Sequence, residues 1–176
     1  MIIETERLIL RRFQDNDYID FYEYMSLEET AEFENFSPKR EEECKRIIVY
    51  RKEQENYFAV VLKENNKLIG NVEYDVEEYD SYSISYDFNP VFKRVGYATE
   101  AVKAMVDYIF LKLDGRRIYA ECDEENIASC KLLERLKFRK EGHMIEDVTF
   151  KVDEENQPIY VNSYLYAILK REWTND

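Results

Sequence analysis

One stretch of the sequence, FKRVGYATEA at residues 92–101, combines features suited to binding a phosphate. Gly96 stands directly before a segment with the apolar periodicity of an amphipathic helix. The first N–H groups of a helix lack partners within the helix, and the helix dipole adds partial positive charge, so phosphates bind there. Gly96 and Ala98 leave the backbone accessible, and Lys93 and Arg94 add charge. The stretch indicates a phosphate-binding loop, with an ordinary strand-to-helix turn as the alternative.

The spacing of this loop differs from that of two common phosphate-binding motifs. A Walker loop ends in Gly-Lys-Ser or Gly-Lys-Thr, and the dinucleotide fingerprint needs three glycines. The stretch at 92–101 has one glycine, in a chain that has four. Neither motif therefore describes it.

Metal chemistry is not indicated by the residues present. His143 is the single histidine, and the three cysteines, Cys44, Cys122 and Cys130, form no Cys-x-x-Cys pair. Zinc sites need several such ligands, so we expect no metal. An odd cysteine count without a signal peptide predicts reduced thiols in a cytoplasmic protein. Cys122 and Cys130 are expected to be small core residues, and His143 a solvated or half-buried polar residue.

Composition and charge narrow the class of partner. The 176 residues include 45% apolar residues, with 15 Tyr and 10 Phe, which is enough for a packed core. The formal net charge of −13 disfavours nucleic acid and anionic membranes, and it favours a cationic partner. The acidic N-terminus MIIETERLIL does not read as a signal peptide. No apolar run approaches the roughly 20 residues of a membrane helix.

Periodicity and turn signals predict the elements that position the loop. Strands are predicted at 6–13, from Tyr57, from Leu68, at Asp80–Phe88, at 117–122, directly after the last helix and at 160–169. Helices are predicted at 16–25, from the Ser37–Pro38 cap signal to Gln54, at 98–113 and at 126–138. This order predicts one α/β domain over residues 1–176, with a mixed sheet and a β-α-β unit around Gly96.

Four stretches together resemble the GNAT superfamily of N-acetyltransferases, and most of all the branch of ribosomal-protein N-acetyltransferases. They are ETERLILRRF at 4–13, NPVFKRVGYATEAVKAMVDYIF at 89–110, ENIASCKLLERLKFRKEG at 125–142 and YLYAILKREW at 164–173. The resemblance spans nearly the whole chain. It implies a mostly antiparallel sheet of about seven strands flanked by about four helices, with one splayed strand pair.

The resemblance also implies acetyl-CoA as co-substrate and a set of residues that bind it. The loop Lys93-Arg94-Val95-Gly96-Tyr97-Ala98, followed by Thr99, matches the family's pyrophosphate loop, with Lys93 in place of Gln or Arg and Arg94 in place of a common Gly. The splayed strands place Ile84–Phe88, including Tyr86, Asp87 and Phe88, on one wall of the cofactor cleft. Tyr119–Cys122 form the other wall, and Asn126 and Ser129 complete the set.

Thioester aminolysis needs a neutral amine, a donor for the carbonyl oxygen and an acid for the leaving thiolate. Leu133 occupies the position of the Tyr that many family members use as this acid. The resemblance to the ribosomal branch makes Ser129 the thiolate partner, with an ordinary first-turn serine as the alternative. Asn126 is a site residue by this resemblance; the alternative is that it only caps the helix that follows.

The general base is left open by the sequence. Ser83 stands where the family often has a Glu. Asp87, Glu73 and Glu121 are candidates by strand position, and bulk water is the remaining alternative.

The resemblance implies a primary amine as the acceptor, and the acidic charge favours a cationic one. Seven glutamates within 28–43 are predicted to flank its cleft: Glu28, Glu29, Glu32, Glu34, Glu41, Glu42 and Glu43. The acceptor is a protein N-terminus or, alternatively, a small polyamine or aminoglycoside-type amine. A non-catalytic acyl-CoA-binding module is the third hypothesis, and a monomer or homodimer is the expected assembly.

Overall fold

The computed structural model describes residues 2–173. Eight strands are present in that range: β1 (Ile2–Glu4), β2 (Leu8–Arg11), β3 (Tyr57–Leu62), β4 (Leu68–Glu77), β5 (Ser81–Phe88), β6 (Arg117–Asp123), β7 (Arg139–Val152) and β8 (Pro158–Leu169). Five α-helices are present there: α1 (Tyr18–Met25), α2 (Glu28–Ala31), α3 (Glu41–Glu53), α4 (Tyr97–Leu111) and α5 (Ile127–Arg135). Short 3₁₀ turns cover Asp15–Asp17, Pro90–Phe92 and Lys170–Glu172.

All eight strands form one sheet in the order β1-β2-β3-β4-β5-β6-β8-β7. Every neighbouring pair is antiparallel except β5 and β6, which are the parallel pair of the β-α-β unit around α4. β5 and β6 pair only from Ser81–Arg117 to Ser83–Tyr119, although both strands continue further. The sheet therefore opens beyond Ser83, and this opening is the predicted splay.

A hydrophobic cluster covers each face of the sheet. On one face α4 and α5 pack on the strands through residues such as Val102, Met105 and Leu133. On the other face α1 and α3 pack through Phe21, Tyr24 and Ile48. Strand residues alternate between the faces, which is why Tyr86 and Asp87 of β5 point to opposite sides. The opening between β5 and β6 connects the two faces.

The fold class is as predicted, and the counts differ by one strand and one helix. The additional strand is β1, which pairs with β2, and the additional helix is the single turn α2. Both elements are too short to give a periodic pattern in the sequence. That residues 1–176 form a single domain remains a prediction.

The predicted start of the third helix at Ser37–Pro38 is wrong. α3 begins at Glu41, because the Glu43 carboxylate accepts a hydrogen bond of 2.9 Å from the Arg40 backbone N–H. The Lys39 N–H donates to the Met25 carbonyl at 2.8 Å, which ties the preceding loop to the end of α1. A tertiary contact thus overrides the local cap signal.

The segment 28–36, which we call the strap, runs from α2 across the opening in the sheet. Lys151 of β7 donates to the Glu32 carbonyl at 2.7 Å and joins the strap to the long β7–β8 hairpin. The strap and the hairpin therefore enclose the opening from the α1–α3 face. None of the helices in residues 2–173 is long and apolar enough to cross a membrane.

Candidate active site

The loop before α4 has the backbone conformation of an anion-binding turn. Arg94 has a φ of 64° and Gly96 a φ of 90°, both left-handed, and α4 begins at the next residue, Tyr97. Left-handed conformation is costly for residues with a Cβ, so Arg94 is strained and Gly96 is required. Backbone N–H groups in such a turn, followed by a helix N-terminus, form a concave donor surface for phosphate oxygens.

Arg7, the residue directly before β2, contacts this loop. Its guanidinium donates to the Val95 carbonyl at 3.1 Å and lies 4.5 Å from the centroid of the Tyr97 ring. The same guanidinium contacts the Glu100 carboxylate at 2.6 Å. Arg7 thus links the loop, the first turn of α4 and the sheet, and the sequence analysis did not identify it.

A cleft of about 610 Å³ lies between this loop, α5 and the strap. The residues predicted to bind acetyl-CoA line it, except Val95: Tyr86, Asp87, Phe88, Lys93, Arg94, Gly96, Tyr97, Ala98, Thr99, Asn126 and Ser129. Two further bases that the sequence analysis missed, Lys131 and Arg135, also line it. They stand four residues apart on α5, a spacing that places both on one helix face.

The charge of Lys93 is partly satisfied by the strap. Its ammonium lies 2.7 Å from the Glu29 carboxylate, and both side chains are more than half exposed. An anion at the loop therefore competes with Glu29 for Lys93.

A second cavity, of about 380 Å³, lies on the α1–α3 face of the opening. Six residues line both cavities and mark the junction between them: Phe33, Glu34, Tyr86, Asp87, Asn126 and Ser129. Residues 84–87 of β5 and 120–123 of β6 line the second cavity. The expected β6 wall of the cofactor cleft differs from this: Tyr119 is still paired with Ser83 and lines neither cavity, and residues 120–122 line only the second one. Phe36 of the strap, and Val148 and Phe150 of β7, close its outer side.

Ser129 and Tyr86 meet at the junction. The two hydroxyl oxygens lie 2.8 Å apart, and the Ser129 N–H donates to the Asn126 side-chain oxygen at 3.1 Å. Asn126 therefore caps α5 and fixes the turn that presents Ser129. Burial raises the pKa of Tyr86, against a smaller opposing effect of the Ser129 hydrogen bond, so Tyr86 keeps its proton and can donate it in a hydrogen bond.

Acidic residues dominate the second cavity. Glu34, Glu73, Asp87, Glu121 and Asp123 line it, against one base, Arg51. Burial, with the nearby charges of Asp87 and Glu73, raises the pKa of Glu34 to about 8. Burial also raises the pKa of Glu73 and of Asp87, although Arg51 opposes both shifts. Because these raised pKa values reflect the cost of burying carboxylates near one another, a cation bound in the cavity would stabilise the ionised forms.

Arg51 forms a fixed pair with Glu73. The guanidinium lies 3.2 Å from the Glu73 carboxylate and 4.9 Å from the centroid of the Tyr57 ring. Ser85 donates to the other Glu73 oxygen at 3.0 Å. Glu73 is thus held by one hydrogen bond and one ion pair, although its Oε2 accepts no hydrogen bond from a described residue.

The other predicted residues are placed as follows. Leu133 is fully buried in the core, and its hydrocarbon side chain has no proton to donate to a thiolate. Cys122 and Cys130 are buried free thiols whose sulfur atoms lie 3.5 Å apart. His143 lines neither cavity and pairs with Glu124 at 2.7 Å.

The glutamate run divides between the strap and α3. Glu29, Glu32 and Glu34 line the cleft, and Glu34 reaches the second cavity as well. Glu28, Glu41, Glu42 and Glu43 line neither cavity, and their place beside an acceptor cleft stays a prediction. The last three lie in the first turn of α3, where negative charge suits the helix dipole.

A larger cavity, of about 780 Å³, lies elsewhere, between β1 and α4. Its lining is mainly apolar and includes Ile2, Ile3 and Leu111. None of the residues with predicted chemistry lies in it. Size alone therefore does not mark the reaction site in this molecule.

The split parallel pair thus has a left-handed loop and a helix N-terminus on one side and an acidic cavity on the other. The acetyltransferase (GNAT) domain family matches residues 7–139. The uncharacterized N-acetyltransferase YnaD of Bacillus subtilis (strain 168) is 32% identical over 175 residues, covering 98% of this chain and 99% of that relative. The uncharacterized N-acetyltransferase p20 of Bacillus licheniformis is 30% identical over 177 residues, covering 96% of each chain. The chain belongs to the GNAT acetyltransferase family, and the predicted resemblance is confirmed.

Solved structures agree with this assignment. A GNAT-family acetyltransferase from Bacillus anthracis matches with a TM-score of 0.87 at 29% identity, covering 98% of this chain and 100% of that one. The ribosomal-protein-S5-alanine acetyltransferase from Vibrio fischeri matches with a TM-score of 0.77 at 22% identity, covering 99% of each. A spermidine N-acetyltransferase from Vibrio cholerae, in complex with CoA and spermine, matches at 0.81 and 20% identity, covering 97% of this chain and 100% of that one. The last two show that the fold is shared.

Proposed function

We propose that the protein transfers an acetyl group from acetyl-CoA to a primary amine that carries positive charge. The observation that carries this proposal is the junction of the two cavities through the split sheet. Bases gather at the cleft end, at Lys93, Arg94, Lys131 and Arg135. Five acids line the other end. The cleft also has four acids, Glu29, Glu32, Glu34 and Asp87, so its positive charge is local to the loop and α5, whereas acids outnumber bases throughout the second cavity. The loop thus suits the phosphates of the donor, and the second cavity suits a cationic acceptor.

The cleft fits the phosphates and the extended arm of acetyl-CoA. In this proposal the left-handed loop from Lys93 to Ala98 binds the pyrophosphate through backbone N–H groups, with the four bases around it. Residues 84–88 of β5 lose their parallel partner at the splay, so their free backbone groups pair with the pantetheine arm. Acetyl-CoA supplies the acetyl group as a thioester.

The residues at the junction divide the proton transfers between them. The ammonium loses one proton to a carboxylate, and the neutral nitrogen then bonds to the acetyl carbon as the carbon–sulfur bond breaks. The nitrogen's second proton ends on the sulfur, so one proton is released overall. Ser129 donates a hydrogen bond to the sulfur as negative charge develops there, and Tyr86 donates to Ser129.

The acidic lining bears on which amine is accepted. Among related folds, one protein acts on ribosomal protein S5 and another is a spermidine N-acetyltransferase solved with spermine. A cavity of about 380 Å³ with five acids suits a polyamine or the basic N-terminal residues of a peptide better than a neutral amine. The multiply charged small amine is therefore the second candidate beside a protein N-terminus.

The test is release of CoA thiol from acetyl-CoA with a panel of amines. The panel contains spermidine, an aminoglycoside, a basic and an acidic peptide with free N-termini, and a neutral alkylamine. We expect turnover with the basic acceptors and a several-fold fall in their kcat/KM from low to physiological salt, since attraction is screened within about 8–10 Å. A preference for the acidic peptide, or no turnover with any amine, contradicts the proposal.

A further inference from the structure

A chain of buried hydrogen bonds links α1 to the acceptor end of the site. The Tyr24 hydroxyl donates to the side-chain oxygen of Asn71 at 2.7 Å. The Asn71 amide nitrogen donates in turn to the Asp87 carboxylate at 3.1 Å. Tyr24 and Asn71 are 0% and 1% exposed, while Asp87 lines both cavities. The chain therefore ends on the one member that substrates can reach.

Strand register explains why these residues meet. Asn71 of β4 lies directly opposite Asp87 of β5, and both side chains point to the face that carries α1. An asparagine in such a place has to satisfy both an acceptor and a donor. The Tyr24 hydroxyl occupies the acceptor, so the NH₂ group is directed at Asp87. A donor in that place stabilises the ionised carboxylate over the protonated one.

We propose that Asp87 binds the acceptor's ammonium and takes its proton, and that Tyr24 and Asn71 are positioning residues that keep the Asp87 carboxylate ionised and aimed at the junction. The inference rests on the proposed acetyl transfer to an amine. In the step, the N–H bond of the ammonium breaks, its electron pair stays on nitrogen, and the proton bonds to an Asp87 oxygen. Solvent then removes that proton.

The other carboxylates of the cavity are less suited to the role. Glu73 is held by Arg51 and Ser85, and Glu121 is exposed on β6 away from the junction. Glu34 reaches the junction, but it lies on the strap and has no partner among the described side chains that orients it. Asp87 combines access to both cavities with a fixed orientation.

Several titratable or charged groups face Asp87 and contribute to its titration. They are Tyr24 on α1, Glu34 on the strap, Arg51 on α3, Glu73 on β4, and Glu121 and Asp123 on β6. Burial raises the pKa of Asp87, and the Asn71 hydrogen bond and the Arg51 charge oppose that rise. Without the Asn71 hydrogen bond, less opposes the effect of burial, so the pKa of Asp87 should rise further.

The test measures the Asp87 carboxyl directly and does not depend on activity. Protein labelled with ¹³C-aspartate is titrated by NMR, with the Asp87 signal identified by its absence in Asp87→Asn. We expect the pKa of Asp87 to rise by roughly 0.5–1 unit in both Tyr24→Phe and Asn71→Val. Tyr108→Phe is the matched control, because Tyr108 is also buried but lies on α4 beside the far cavity. An unchanged Asp87 pKa in the two variants, or an equal rise in the control, overturns the positioning role.

Kinetics with the best acceptor of the panel test the role of Asp87 itself. Asp87→Asn should lower the acceptor kcat/KM roughly 10²-fold, measured at saturating acetyl-CoA. In Tyr24→Phe and Asn71→Val, the acidic limb of the kcat/KM profile against pH should shift to higher pH, in step with the pKa measured by NMR. Above that limb, kcat/KM should return toward the wild-type value. If kcat/KM of these two variants falls by the same factor at every pH, Tyr24 and Asn71 have only a structural role. If the wild type acetylates no amine, the proposed function fails. If it does, but the acidic limb stays at the same pH in both variants, only the role of Tyr24 and Asn71 fails.

Discussion

The hydroxyl of Tyr86 lies 2.8 Å from the hydroxyl of Ser129, across the gap where β5 leaves β6. This contact spans the junction of the two cavities, so the sulfur of the donor and the nitrogen of the acceptor meet beside it in the proposed reaction. Ser129 alone is an ordinary serine in the first turn of a helix. Ser129 differs from such a serine because it pairs with a buried tyrosine and lines both cavities.

Ser129→Ala should lower kcat roughly 10²-fold, because the departing sulfur loses its hydrogen-bond donor. Tyr86→Phe should give a smaller loss, on the order of tenfold, since Ser129 remains but is no longer polarised. Acetyl-CoA affinity, measured by calorimetric titration, should change little in either variant. Wild-type turnover in Ser129→Ala would show that the leaving group is assisted by water instead.

Gly96→Ala should weaken acetyl-CoA binding by at least tenfold, about 1.4 kcal/mol, and should also lower the free energy of unfolding by about 1 kcal/mol. A Cβ at Gly96 has space, since its nearest neighbour is Arg7 at 3.5 Å. The cost comes from the φ of 90°, which alanine rarely adopts. Gly142→Ala is the control, because its new Cβ makes ordinary contact with Leu165 at 3.5 Å. Equal affinity in Gly96→Ala and the wild type would exclude the loop as the phosphate site.

Local signals predicted the loop and most elements, because a glycine before a helix, a β-hairpin turn and an alternating strand are each defined by adjacent residues. Partners set by long-range register were not predictable in the same way. Asn71 has no distinguishing pattern in the sequence, and its importance follows only from its place opposite Asp87. Glu34 is one of seven glutamates in its segment, and only the course of the strap shows that it turns inward.

Arg7→Lys should raise the Kd of acetyl-CoA about tenfold, although it keeps the charge. A lysine cannot hold the Glu100 carboxylate and the Val95 carbonyl with one planar group, so the loop loses its support. Arg11→Lys is the matched control, because Arg11 makes a comparable two-bond contact with Asp17 away from the cleft. A similar loss of affinity in both variants would point to general destabilisation, and thermal unfolding of each separates the two effects.

Glu29→Gln should strengthen acetyl-CoA binding by roughly two- to fivefold at low salt, because Lys93 no longer has to leave a carboxylate partner. The gain is small, since an exposed ion pair is worth about 0.2–1 kcal/mol. It should disappear at high salt. Glu28→Gln removes the same charge from outside the cleft and should have no such effect. Weaker binding in Glu29→Gln would mean that Glu29 contacts the ligand itself.

Glu34→Gln should stabilise the protein at alkaline pH and leave its stability unchanged in acid. Burial raises the folded-state pKa of Glu34 to about 8, above the ordinary value of 4.5. Below pH 4.5 the carboxyl is neutral in both the folded and the unfolded state, so glutamine and glutamic acid are equivalent. Between pH 4.5 and about 8 the unfolded chain ionises first, and the wild type loses stability as the pH rises. Glutamine has no charge to bury and avoids this loss.

Thermal unfolding at about pH 3.5 and at pH 8 measures the difference, since the carboxyl is protonated in both states at the lower pH. There the two melting temperatures should nearly coincide, and at pH 8 the variant should melt at least about 2 °C higher. Glu32→Gln, on the same strap but exposed, should shift both temperatures equally. The gain should shrink when a cationic acceptor is present, because the bound ammonium stabilises ionised Glu34 in the wild type and has no such partner in the variant. If the difference in melting temperature between Glu34→Gln and the wild type did not depend on pH, Glu34 would be exposed to solvent. The second cavity would then be more open than described above.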